Sequence, residues 1–93
     1  MREYLREHLL IVLRDMDGYS ANDAILTDLV RARGIVNSVD VVRTELAWLE
    51  EQGLVTVERF DELAVATITR RGVDVANGAA RVPGVHRPLP GGD

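Results

Sequence analysis

Apolar positions along the chain recur first at helical spacing and then at strand spacing. Leu5, Leu9, Val12, Leu13 and Met16 share one face at i, i+4, i+7, i+8 and i+11, which predicts a helix over 3–16. Leu10 and Ile11 lie off that stripe, so only Glu3, Glu7 and Arg14 form a polar line. A helix this apolar meets more than one neighbour: the rest of the chain or, through Leu10 and Ile11, a second copy. Asp17-Gly18 ends it, and Ser20–Asn22 offer caps for a second helix carrying Ile25, Leu26, Leu29 and Val30 and closed by Gly34. Ile35-Val36 is too short for more than a stub of strand. Asn37 or Ser38 caps a third helix that runs to about Gln52 and buries Val39, Val42, Leu46 and Leu49, with Gly53 at its end.

The period then changes. Leu54–Val57 and Leu63–Thr69 read as strands joined by the polar link Glu58–Glu62, a hairpin. Thr69 caps a short last helix that Gly78 stops. Ala79–Asp93 holds all three prolines and three of the eight glycines, which predicts an extended or disordered tail. The expected architecture is mainly α with a small β-hairpin. Its order, helix, helix, helix, strand, strand, helix, is that of a winged helix-turn-helix, with the domain at 1–78 and the tail at 79–93.

Composition narrows the chemistry. At 93 residues the chain fits one domain, and 46% apolar with 28% charged residues is ordinary for a folded protein. With no cysteine, disulfides, thiolate catalysis and zinc–cysteine sites are excluded. Apolar runs fall far short of the roughly 18 residues of a membrane span, and the first residues do not read as a signal peptide, so a cytoplasmic protein is expected. His8 and His86 have no metal-ligand spacing, and the glycines match no phosphate loop. No catalytic group, metal, cofactor or small-molecule substrate is expected.

Charge bears on partners. The net value is −4, and all eleven basic residues are arginine. Residues 1–63 hold 7 arginines against 13 acids, a balance of −6, whereas residues 64–93 hold 4 against 2, a balance of +2. The chain therefore lacks the overall basic footprint of a nucleic-acid binder.

The run "ELAWLEEQGLVTV" resembles the "L-x-x-L-E-x-x-G-L-V" joint between recognition helix and wing in the MarR and ArsR regulators, and "ITRRGVDVA" resembles the stretch after their wing. A wider likeness takes in "LAWLEEQGLVTV…ATITRRGVDVANGAARVPGVHRP". It looks like a family of small winged-helix proteins of Mu-like phages and prophages, sharing the "AWLE-x-x-GLV" joint and the tail matched by Gly78, Val82, Pro83, Gly84, Val85, Arg87 and Pro88. The resemblance implies a non-enzymatic regulator that binds DNA as a homodimer.

In that reading Ser38, Asp40, Arg43 and Thr44 approach base edges, and Arg31, Arg33, Arg59 and Arg70 approach phosphates. The groove-facing stripe of the third helix, however, is Asp40, Thr44, Ala47 and Glu51, and its two carboxylates oppose phosphate. The alternative is a protein-interaction module anchored on Trp48 and Val41, with Leu10 and Ile11 at a subunit contact, because tryptophan is frequent among interface hot spots. Trp48 equally fits a core position covered by the hairpin or the tail.

Overall fold

Helix α1 (Arg2–Asp15) is the central element of the fold, and the other three helices and the strand at residues 63–68 pack against it. The computed structural model describes residues 2–88. Leu5, Leu9, Leu10, Ile11, Val12 and Leu13 are all buried, so both the predicted stripe and its flank face other elements of the same chain. At about 1.5–3 kcal/mol for each fully buried Leu or Ile, this helix is the largest single contributor to the core. Glu7, predicted on the polar line, is buried as well.

A 3-10 turn at Asp17–Tyr19 leads into strand β1 (Ser20–Asn22), an element that the periodicity did not predict. Three residues are too few to show an alternation, and the strand exists only through its partner. Ser20, Ala21 and Asn22 pair antiparallel with Thr67, Ala66 and Val65, and the hydroxyls of Ser20 and Thr67 meet at 2.8 Å. Asn22 also caps α2 (Asp23–Ala32) by accepting from the Ile25 amide, so the cap expected there is present at the strand's last residue.

Helix α3 (Val39–Glu51) is capped by Ser38, whose Oγ accepts from the Val41 amide. No strand forms at Ile35-Val36. Strands β2 (Val55–Phe60) and β3 (Leu63–Ile68) make a hairpin in full register, with Phe60 opposite Leu63 at the tip and Val55 opposite Ile68 at the base. The turn is only Asp61-Glu62, shorter than the predicted link, because Glu58, Arg59 and Phe60 continue the strand. The sheet order is β1-β3-β2, all antiparallel. Helix α4 (Arg70–Ala76) is capped by Thr69 and lies against α1, and Arg14 donates to the Asn77 side chain.

The fold is thus four helices and one three-stranded sheet in the order helix, strand, helix, helix, strand, strand, helix. Residues 79–88 have no regular helix or strand, but Val82 and Val85 are buried in the core cluster. The core therefore extends beyond residue 78. Residues 89–93 of the expected tail lie outside the described residues.

Candidate protein-docking surface

Val42, Glu45, Leu46 and Leu49 form the buried face of α3. Val39, expected there, is 37% exposed, and Glu45 takes the fourth place. Positions 42, 45, 46 and 49 follow i, i+3, i+4, i+7, so the spacing itself marked Glu45 as inward. Its carboxylate is only 1% exposed and is gripped by two guanidinium groups from α1, Arg2 and Arg6, the latter at 2.6 Å. Burying a carboxylate is affordable only with such pairing. Asp40, Thr44 and Glu51 are exposed as expected, and the Thr44 hydroxyl bonds back to the Asp40 carbonyl.

The cations expected to meet DNA are exposed, but most of them already bond to other groups of the same chain. Arg43 gives its Nε to Asp23, a carboxylate 1% exposed at the start of α2, and its NH2 to the backbone carbonyl of Glu62 in the hairpin turn. Arg59 pairs with Glu50 at 3.4 Å. Arg31 donates twice to the Asn37 carbonyl, and Arg33 donates to His8 Nδ1 at 2.9 Å. Arg70 stands at the base of the hairpin, five residue steps or about 17 Å from the tip. The structure therefore brings Arg43 and Arg59 together beside a cleft of ≈ 140 Å³ that Leu46, Val57, Asp61, Leu63 and Ala64 also line. Arg31, Arg33 and Arg70 do not join them there.

The sequence marks the hairpin tip by its acids Glu58, Asp61 and Glu62, but spacing does not mark the apolar pair among them. Phe60 and Leu63 face each other across the strands, 55% and 45% exposed. Glu58, Asp61 and Glu62 surround them, all exposed. The signal in the sequence was the one phenylalanine and a leucine flanking a two-residue polar turn, an arrangement that leaves an apolar pair with nothing beyond it to bury against. Arg43 links the turn of this hairpin to α3 and to the start of α2.

The expected interface residues have different fates. Leu10 and Ile11 are fully buried within the single chain, at 0% and 2%, and offer no surface to a second copy. Val41 and Trp48 are half-buried and pack on the core. Arg6 lies 3.9 Å above the centroid of the Trp48 ring, and Gly84 of the tail approaches the same indole. Trp48 thus folds back on α1 and the tail.

That tail creates a second concave feature. Arg6 donates to the Gly84 carbonyl, the His86 amide donates to the Glu3 carbonyl, and His86 Nδ1 sits 3.0 Å from the buried Glu7 carboxylate. Between tail and α1 opens a cleft of ≈ 610 Å³, lined by Glu3, Tyr4, Arg81, Val85, His86 and Arg87. Tyr4 meets the His86 ring edge-on. Among the described residues no three His, Asp or Glu side chains converge as metal ligands, and no helix is long and apolar enough to cross a membrane.

No protein-family model and no solved structure matches the chain. It is 52% identical over 83 residues to the uncharacterized protein gp26 of Escherichia phage Mu, spanning 87% of this chain and 86% of that one. It is also 48% identical over 69 residues to an uncharacterized protein of Haemophilus influenzae, covering 71% of this chain and 68% of the relative. The aligned stretch is long enough to take in most of the core, so the expected kinship with Mu-like phage proteins holds: the chain belongs to the family of the phage Mu protein gp26.

Proposed function

We propose that this chain is a non-enzymatic winged helix-turn-helix of a Mu-like phage, and that its α3–hairpin face docks a protein rather than reading DNA. Helices α2 and α3 take the places of the helix-turn-helix in this reading, and β2–β3 is the wing. The observation that carries the docking function is Arg43. It is the one cation on α3, and it is held by the buried Asp23 carboxylate and the Glu62 carbonyl. The exposed surface of α3 and the hairpin then includes the acids Asp40, Glu51, Glu58, Asp61 and Glu62 and the apolar pair Phe60 and Leu63. Phosphate repels such a surface, whereas an apolar centre with a charged rim is the ordinary anatomy of a protein interface.

A second reading, a DNA-binding regulator, draws on the topology. A strand between the first two helices that pairs with the hairpin, as β1 does with β3, is what a winged helix would place there.

Titrating phage-genome fragments at rising salt separates the two. Docking predicts no sub-micromolar binding at roughly 50 mM salt. Affinity that falls steeply with salt and drops for Arg43→Ala supports the DNA reading instead.

A further inference from the structure

The molecule carries a knob and a cleft of opposite charge. The knob is the hairpin tip, Phe60 and Leu63 within the acids Glu58, Asp61 and Glu62. The cleft has an apolar and aromatic floor, Tyr4 and Val85, with Arg81, Arg87 and His86 around it and Glu3 as its one acid. Its ≈ 610 Å³ has room for a large apolar side chain, and Arg81 and Arg87 are exposed.

The two features cannot meet within one chain. The tip is tied through Arg43 to Asp23, the first residue of α2. The cleft lies toward the other end of that helix, where the Tyr4 ring packs at a tilt on His8 and His8 accepts from Arg33. Ten helical residues, about 15 Å, stand between them. Complementary patches that one molecule cannot bring together can be joined between two copies of it. Because knob and cleft are different surfaces, copies can pair reciprocally across a two-fold axis or join head to tail in rings and open chains.

We propose that the partner of the hairpin tip is a second copy of this chain, whose α1–tail cleft receives Phe60 and Leu63 while Arg81 and Arg87 face the acids at the tip. This rests on the docking function proposed above and gives that surface its occupant. The charge split along the sequence acquires a reason: the acidic part supplies the knob, and residues 64–93 supply the arginines of the cleft.

The test is sedimentation and light scattering of the full chain from micromolar to millimolar concentration, at about 50 and 500 mM salt. The mass should rise above the 10.3 kDa monomer with concentration, and less so at high salt. A tip variant (Phe60→Ser with Leu63→Ser) and a cleft variant (Arg81→Glu with Arg87→Glu) should each lose self-association at least 10-fold while melting like wild type. Mixed, they should associate again but stop at a dimer, since one brings an intact cleft and the other an intact knob. Wild-type monomers at every concentration overturn the proposal, as does a mixture that stays monomeric or an assembly that neither variant weakens. If wild type stays monomeric and also ignores DNA, the protein-docking function survives with a foreign partner. If it binds DNA tightly, that function falls too.

Discussion

The guanidinium of Arg6 covers one face of the Trp48 indole at 3.9 Å while its Nε bonds Glu45, so a single α1 side chain joins α3's one aromatic to α3's one buried acid. Gly84 lies against the same indole and its carbonyl takes Arg6 NH1. α1, α3 and the tail are joined at this point.

Trp48 is therefore a folding residue first. Trp48→Ala should cost about 2–4 kcal/mol, enough to lower Tm by more than about 10 °C in a domain of this size. Arg6→Ala should cost about 2–3 kcal/mol, less than the full penalty for breaking a buried pair because Arg2 still reaches Glu45. Arg6→Met combined with Glu45→Met should fall within about 1 kcal/mol of wild type, because it removes both charges together. Thermal denaturation of the three variants measures all of this.

Two glycines isolate the ring contact. Gly34 and Gly84 both have positive φ, +88° and +98°, but a Cβ on Gly34 meets nothing within 4 Å, whereas one on Gly84 would lie 2.7 Å from the indole. Gly34→Ala should lose only the backbone strain, about 1 kcal/mol. Gly84→Ala should lose about 1–3 kcal/mol more and shift Trp48 fluorescence to the red as the tail lifts. Equal losses, with unchanged emission, would mean that tail and indole are not packed as described.

Gly72 is a different case. It is helical, and alanine there would gain about 1 kcal/mol of propensity. The added Cβ would sit 2.2 Å from the Leu54 carbonyl oxygen, a backbone atom that already accepts from the Thr69 amide, and 2.6 Å from Ile68. Gly72→Ala should therefore be net destabilising by about 1–3 kcal/mol in chemical denaturation.

Arg43→Ala should remove the clasp on the hairpin. Asp23 keeps the Ala24 amide but loses its cation, and the guanidinium is 43% exposed, so the loss should lie between a surface and a buried pair, about 2 kcal/mol. Amide exchange at the tip should quicken at least 10-fold, while exchange in α1 changes only as much as global stability does. An unchanged tip would show that the hairpin holds its place without Arg43.

Much of the fold was legible because its signals are local. Asn22, Ser38 and Thr69 each cap the helix expected after them, and Gly34, Gly53 and Gly78 follow α2, α3 and α4 in the left-handed conformation. What stayed hidden depends on distant partners. β1 is a strand only because β3 lies beside it. Asp23 and Glu7 are buried against Arg43 and His86, which arrive from 20 and 79 residues away. The DNA-facing arginines had the right spacing, but no spacing reveals that a guanidinium is already occupied. The tip and the tail cleft join residues that periodicity treats separately.

Glu50 reads in the sequence as one more surface acid. In the fold its Oε2 takes the Val57 amide at 3.2 Å and its Oε1 takes Arg59, so the carboxylate lies along the outer edge of β2, which among the described residues pairs with β3 alone. An open edge with the sequence Val-Thr-Val is a template for further strands, and growth from it is difficult to reverse. With the Val57 amide taken by Glu50, pairing of another strand at this part of the edge is disfavoured. A carboxylate in that place works against edge-to-edge aggregation, a service separate from any it gives to the core.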